Sequence, residues 1–499
     1  MNNWEERLDR TSVSELRALL ESGAVTARSL AEASFRRIDA LDDRVNAVIE
    51  RNPDALTIAD QLDDKRQSGA LRGPLHGIPV FIKDNIDTGD RMATTAGSLA
   101  LAGSRAPNDA FIIEKLRQAG LVILGKTNLS EWANFRSARS STGWSSLGGQ
   151  TRNPYALDRT PGGSSSGSGV AVACGFAPLA VGTETDGSIL IPAAMNGIVG
   201  IKPTVGLVSR SGIIPISHRQ DTAGPMARSV SDAAALLSVL AGPDPEDMAT
   251  ADAPPAPDYC DYLETLGLKG ARIGVAKAYC GFHEGIDAIL TDCLEAMRAG
   301  GAEIVEDVAL PPRDAIRETE RRAMTYEFKA GLDAYFARRG PDSPISCLDD
   351  VVAFNNAHAD TAMPYFPQDI LEQAQATESL REPEYLAARM ETTRLAATEG
   401  IDAALAAHKL DAIAAPTTCA AWRIDWINGD NRSGGSSTPA AAAGYPSITV
   451  PAGYLHGLPI GLSFFAGAFQ EPALIRLAYA FEQATLVRRP PKFQAHAAP

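Results

Sequence analysis

The sequence predicts an α/β fold built around a β-sheet, and three observations support this prediction. Short apolar, β-rich runs at 79–82 and 121–124 alternate with helical patterns such as 109–119. Strand-like apolar runs return near the end of the chain, at 410–415, 448–451 and 460–465. Hydrophobic residues make up 45% of the 499 residues, which is enough for the large core that such a sheet requires.

Two helices are expected at the start of the chain. Ser12 and Glu15 match a capping box, apolar residues follow at helical spacing, and Gly23 provides a stop signal. A second helix is expected to follow, with Phe35 and Ile38 on its apolar face. The β-rich runs begin only after these two helices.

The Pro- and Asp-rich segment 242–258 predicts a surface connection and is a candidate domain boundary. Helix-forming sequence dominates after it until about residue 410. Because strand-like runs return beyond that point, we expect the last third of the chain to complete the same sheet. The sequence therefore predicts a single domain over 1–499 with a helix-rich lobe at about 260–410.

The formal net charge of −15 argues against nucleic acid or an anionic membrane surface as a direct partner. The longest charge-free stretches, 161–183 and 187–201, are interrupted by Gly, Ser and Pro, so no membrane span is expected. The acidic start does not match a secretory signal, and the six cysteines form no CxxC pair. These features predict a cytoplasmic location, and they leave the oligomeric state open.

Two short motifs match familiar patterns by letter. The run 120–127 fits the phosphate-loop pattern GxxxxGK[ST], but its LVIL core predicts a strand that would bury the amides a phosphate needs. The run 163–167 fits GxSxG with Ser165 in the nucleophile position. In so Gly- and Ser-rich a segment this match arises from composition, and a loop is the simpler interpretation.

Lys83 is one of only ten lysines, and it directly follows the apolar run 79–82. An ordinary ion pair with Asp84 or Asp87 is one interpretation. A catalytic base is the other, because burial lowers a lysine pKa by up to about 3–5 units. In that case Asp84 should point away from the amine or be engaged elsewhere, since a facing carboxylate would raise the pKa again.

A turn at 182–192, GTETDGSILIP, places Ser188 after three residues whose N–H groups can point at one spot. Such a group of N–H donors can form an oxyanion hole. The simpler interpretation is a Gly-Ser turn between a strand and a helix.

Three segments together resemble the amidase signature family of serine hydrolases. They are GIPVFIKDN at 77–85, TPGGSSSGSGVAVA at 160–173 and GTETDGSILIPA at 182–193. The likeness extends through LGKTNLSEW at 124–132 to AGYPSITVPAG and GLPIGLSFF near the end. Within the family, the runs 134–155, 182–188 and 219–235 are most similar to the bacterial peptide amidase group.

The resemblance implies a mixed central sheet covered by helices on both faces. It also implies a Ser–cis-Ser–Lys triad, with Ser188 as nucleophile, Ser164 as bridging serine and Lys83 as base. The implied oxyanion-hole donors are the backbone N–H groups of Thr185, Asp186 and Gly187. Asp186 departs from the commonest spelling of the family, which often has Gly at this position.

The resemblance implies that the protein hydrolyses carboxamides to the free acid and ammonia, and the expected substrate is the C-terminal amide of a peptide. This chemistry requires no metal or organic cofactor. A general aryl or alkyl amidase and the catalytic subunit of a tRNA-dependent amidotransferase are alternatives. A non-catalytic scaffold is the simplest one. Asn134 and Phe135 are candidate substrate-binding residues because they lie between the lysine and serine motifs.

Overall fold

A mixed eleven-stranded sheet forms the centre of the computed structural model, which describes residues 7–340 and 343–498. The strand order is β1-β3-β2-β6-β8-β7-β12-β13-β11-β9-β10, and β4 pairs only with β5. The strands are β1 Val48–Arg51, β2 Pro79–Lys83, β3 Val122–Thr127, β4 Trp144–Ser145, β5 Gly149–Gln150, β6 Leu179–Glu184, β7 Val199–Lys202, β8 Thr222–Ala227, β9 Arg272–Ala276, β10 Glu303–Val308, β11 Ala412–Pro416, β12 Ser447–Leu455 and β13 Leu458–Phe465.

Helices cover both faces of this sheet. They are α1 Val13–Glu21, α2 Ala27–Val45, α3 Ala55–Gln67, α4 Phe111–Gln118, α5 Ser166–Ala173, α6 Leu190–Met195, α7 Val230–Leu240, α8 Glu284–Ala299, α9 Arg313–Arg339, α10 Leu348–Ala357, α11 Ala359–Ala362, α12 Asp369–Gln375, α13 Pro383–Thr393, α14 Ala403–His408, α15 Ser437–Ala443 and α16 Glu471–Thr485. A π-helical turn, Arg394–Asp402, joins α13 to α14.

Side chains of the central strands alternate between two buried layers. Val80 and Ile82 of β2 pack in a core with α1, α4 and α7, whereas Phe81 packs in a second core with α2, α3 and α5. Because both faces are buried, β2 is apolar along its whole length before Lys83 rather than alternating with polar residues. The predicted α/β class, with a mixed sheet covered on both faces, is confirmed.

The predicted N-terminal helices are α1 and α2. The Ser12 hydroxyl accepts from the N–H of Glu15 at 3.2 Å, and the Glu15 carboxylate accepts from the N–H of Ser12 at 2.7 Å, so both halves of the capping box are formed. Within the run 120–127, residues 122–127 form strand β3, as its apolar core predicts.

The segment 242–258 is an irregular connection, and it is fixed to the body of the protein. The Ser209 hydroxyl donates to Asp244 at 2.6 Å, and the Arg210 guanidinium pairs with Asp247 at 2.5 Å. Beyond it, β9 and β10 join the central sheet, so helices dominate only from Arg313 to His408. One sheet containing strands from both ends of the chain favours a single domain, and the division into domains stays a prediction.

Two neighbouring strands bring their ends to the same edge of the sheet. β2 and β6 are parallel, with Ile82 opposite Val181, so Lys83 and Thr183 emerge side by side. Carboxyl ends of parallel strands are where α/β proteins place their sites, because the loops that follow them meet there. No helix among the described residues is long and apolar enough to cross a membrane.

A buried ion pair joins the body of the protein to the helical lobe. The Arg136 guanidinium pairs with Glu131 at 3.0 Å, donates to the carbonyl of Phe366 at 2.8 Å and lies 4.7 Å from the Phe366 ring. Its side chain is fully buried. Phe366 lies in the lobe, whereas Glu131 and Arg136 follow β3, so this contact crosses between the two parts.

We expect Arg136→Met to destabilise the protein by about 3–5 kcal/mol, because it leaves the buried Glu131 carboxylate without its cation. The midpoint of urea unfolding measures the loss. Arg17→Met is the control, because Arg17 and Glu21 form an exposed pair of 3.8 Å that contributes little. Equal midpoints for both variants would contradict the role of the buried pair.

Candidate active site

Lys83 is the last residue of β2, and its side chain is fully buried. Its Nζ lies 2.8 Å from Ser164 Oγ, 2.8 Å from Thr183 Oγ1 and 3.2 Å from the carbonyl oxygen of Thr183. The structure therefore brings together the two residues that the sequence names as base and bridging serine.

Ser164 lies in the loop before α5, where the Gly163–Ser164 peptide bond is cis. The N–H of Gly167, in the first turn of α5, donates to the carbonyl of Asn128 at 2.8 Å. A Cβ at Gly167 would lie 2.2 Å from the carbonyl oxygen of Ala47, so only glycine permits this close approach. This approach fixes the loop against the strand region that follows β3.

Ser188 lies in the turn between β6 and α6, and its neighbour Gly187 has φ +80°. The Glu184 carboxylate accepts from the N–H groups of Ile189 at 2.7 Å and Leu190 at 2.9 Å, which holds the turn closed. The N–H of Ser165 donates to the carbonyl of Ser188 at 3.0 Å. The two serine segments are thus joined through their backbones.

The donors of this turn are available to a ligand. The N–H groups of residues 185–188 donate no hydrogen bond to any residue that the structure describes. The Ser188 hydroxyl likewise has no hydrogen-bond partner within the described ranges. The residue is 7% exposed. Unpaired N–H groups beside a serine hydroxyl are the arrangement that binds a carbonyl oxygen.

Thr183 and Asn85 determine how the amine of Lys83 is oriented. A neutral amine has two N–H donors and one lone pair. The Thr183 carbonyl can only accept a hydrogen bond from the amine. The Thr183 hydroxyl accepts a hydrogen bond from the Asn85 amide at 3.0 Å, and its oxygen can accept a second one from the amine. When the two amine hydrogens occupy the Thr183 oxygens, the lone pair is directed at the hydroxyl of Ser164.

Burial lowers the pKa of Lys83 to about 7, against a smaller opposing effect of Glu184 and Asp221. Asp84 is engaged elsewhere, as a basic lysine requires: it accepts from the Thr95 hydroxyl and is attracted to Lys126. Burial raises the pKa of Asp84 to about 6. Lys83 therefore reaches its neutral form near neutral pH.

Asp221 contacts the nucleophile turn through Thr185. Its carboxylate accepts from the Thr185 hydroxyl at 2.6 Å and from the N–H groups of Ile216 and Ser217, both at 2.8 Å. Burial raises the pKa of Asp221 to about 6. Thr183 and Asp221 lie within the motifs quoted above, but the residues around them in the sequence do not predict their contacts with Lys83 and Thr185.

The loop between β11 and α15, residues 417–436, lies beside both serine segments. Its Asp430 accepts from the N–H of Thr142 at 3.1 Å, and a Cβ at Gly163 would lie 2.7 Å from the methyl group of Thr142. At its end, Ser437 and Thr438 donate to the Asp186 carboxylate at 2.6 and 2.9 Å. Asp186 is thus held where the family often has Gly.

The predicted substrate-binding residues follow Ser130, whose N–H donates to the carbonyl of Ser164 at 3.1 Å. Asn134 is exposed, with φ +71°, and Phe135 is buried against Phe328 with ring centroids 5.0 Å apart. Their substrate-binding roles stay predictions. Ser165 donates to the carbonyl of Thr183 at 3.0 Å, which gives it a structural contact. No cluster of three His, Cys, Asp or Glu side chains suited to a metal occurs in the described part of the chain.

The family model described as Amidase matches residues 29–475, and the chain belongs to this family. Among solved structures, native peptide amidase from Stenotrophomonas maltophilia is 52% identical with a TM-score of 0.93, covering 97% of this chain and 99% of that one. A probable amidase of Arabidopsis thaliana is 40% identical over 98% of this chain and 92% of that protein. A glutamyl-tRNA(Gln) amidotransferase chain of Carboxydothermus hydrogenoformans is 36% identical over 95% of this chain and 97% of that protein.

We expect the Lys83 amine to titrate near pH 7 in the folded protein, because burial disfavours its charged form. The side-chain ¹⁵N resonances of the lysines measure this, and the signal that disappears in Lys83→Arg is the one to follow. The reference is a lysine side chain in water, which titrates at about 10.4. A Lys83 signal that titrates near that value would contradict the effect of burial.

Proposed function

We propose that this protein hydrolyses carboxamides through a serine acyl-enzyme, with Ser188 as nucleophile, Ser164 as bridging serine and Lys83 as base. The observation that carries the proposal is the 2.8 Å contact between Lys83 Nζ and Ser164 Oγ, beside a serine turn with unpaired N–H donors. Membership of the Amidase family supports the same assignment.

In the acylation step, Ser188 Oγ attacks the carbonyl carbon of the amide. Its proton passes to Ser164, whose own proton moves to the neutral amine of Lys83. The carbonyl oxygen becomes negative and is bound by the N–H groups of Thr185, Asp186 and Gly187. The C–N bond then breaks, and the proton held by Lys83 returns through Ser164 to the leaving nitrogen, which departs as ammonia.

Deacylation repeats the relay with water as the nucleophile. Lys83, again neutral, takes a proton from water through Ser164, and the hydroxide attacks the ester formed at Ser188. Collapse of the tetrahedral intermediate breaks the ester bond and returns the proton to Ser188 Oγ. The products are a free carboxylic acid and the regenerated enzyme, so the chemistry is complete with this chain's own residues.

The proposed substrate is a peptide with a C-terminal carboxamide. The support is the 52% identity to a solved peptide amidase over nearly the full length of both chains. Small alkyl or aryl amides are the alternative within the same chemistry. The cytoplasmic location, the absence of a direct nucleic-acid partner and the binding roles of Asn134 and Phe135 stay predictions.

Lys83→Arg should lower kcat/KM by about 10²–10⁴-fold, because arginine cannot deprotonate in this range and general base catalysis is lost. In the wild type, kcat/KM should rise with pH through an ionisation near 7. Lys115→Arg is the control, since Lys115 donates to the carbonyl of Ala241 in another part of the fold. A normal rate and pH profile in Lys83→Arg would overturn the role of Lys83 as base.

Mass spectrometry of the products tests the proposed substrate. A peptide with a C-terminal carboxamide should gain one mass unit as the amide becomes the acid, with one equivalent of ammonia and no internal cleavage. Ser188→Ala should abolish both signals. Internal fragments formed at a comparable rate would indicate an endopeptidase instead.

The same assay separates the amidotransferase alternative, which the 36% identity to the Carboxydothermus hydrogenoformans protein brings forward. Turnover by the purified chain without ATP, tRNA or a partner protein supports the hydrolase. Turnover that appears only when those components are added would favour the amidotransferase.

A further inference from the structure

Arg432 lies in the middle of the β11–α15 loop, between residues that contact the two serine segments. Two positions before it, Asp430 holds Thr142 next to the Gly163–Ser164 bond. A few positions after it, Ser437 holds Asp186 in the nucleophile turn. One hydroxyl, that of Ser437, therefore lies between the Arg432 guanidinium and Asp186 of the nucleophile turn.

The hydrogen-bonding capacity of this guanidinium is largely unused. It carries five N–H donors, and the described residues supply one acceptor, the hydroxyl of Ser437 at 3.3 Å from Nη2. Its Nε is buried and has no partner among them. The residue as a whole is partly exposed.

Charges of both signs surround Arg432. Burial lowers the pKa of its guanidinium, and Asp186 opposes this shift. Arg317 and Arg313, at the start of α9, add to the lowering. The buried carboxyl of Glu320 also interacts with Arg432 and Arg317, so the cations near Arg432 are accompanied by two carboxyl groups.

We propose that Arg432 is a substrate-binding residue that donates to a backbone carbonyl of the peptide, on the acyl side of the carboxamide. This inference rests on the proposed function and adds the reason why peptide amides are preferred over simple amides. A neutral carbonyl fits better than a carboxylate, because Asp186 stands next to Arg432 and would repel a second anion.

Two substrates that share a phenyl ring and a carboxamide separate this role from a structural one. N-acetylphenylalanine amide carries the upstream carbonyl, and 3-phenylpropanamide has the same phenyl ring and carboxamide without it. The wild type should prefer the first. Arg432→Met should reduce that preference, the ratio of the two kcat/KM values, by about 10- to 100-fold, mainly through KM, as expected for one charge-assisted hydrogen bond.

Two further variants complete the comparison. Arg432→Lys keeps the cation but loses the fork of donors, so it should retain an intermediate preference. It also tests the proposal if the methionine variant does not fold. Arg338→Met is the control, because Arg338 is an exposed residue near the far end of α9, and its preference should equal that of the wild type.

The outcomes are distinguishable. An unchanged preference in both Arg432 variants, or an equal fall for the two substrates, would overturn the binding role and leave Arg432 as a support for Asp186. Failure of the wild type to release ammonia from either substrate would overturn the proposed function and this inference with it. A selective loss for the acetylated substrate supports both.

Discussion

Burial of one amine at the end of a strand is the constraint on which the site depends. A lysine placed among apolar side chains gives up its charge far more readily than one in water, and the sheet achieves this by covering β2 on both faces. The polar groups near Lys83 then have to hold its amine by hydrogen bonds without stabilising the charged form of that amine. The Thr183 oxygens accept, the Asn85 amide donates to one of them, and Asp84 turns to a different cation.

Most of the framework could be predicted from the sequence because it depends on local patterns. Capping residues define α1, and apolar runs define β2, β3 and the C-terminal strands. Lys83, Ser164 and Ser188 follow as a set only from the resemblance of three motifs to the amidase signature family. The prediction was less accurate between 260 and 312. There β9 and β10 are strands of five and six residues, and β10 lies at the edge of the sheet with only its last residue buried. Edge strands carry a weak hydrophobic signal, so the region looked helical.

The contacts that refine the site could not be predicted, because they join residues far apart in the chain. Thr183 meets Lys83 across 100 positions, and Ser437 meets Asp186 across 251. Nothing in the neighbouring letters of either residue indicates its partner. Arg432 lies in a segment without helical or strand periodicity, where only the folded loop shows that its side chain contacts Ser437.

The β11–α15 loop begins at a rigid strand and ends at a helix, while its interior has no regular structure. Its tip is open to solvent, with Ile427 84% exposed. Changes of length at this exposed tip cost little folding free energy, since loop closure depends only weakly on length. The tip can therefore vary while the strands and turns that carry Lys83, Ser164 and Ser188 keep their positions.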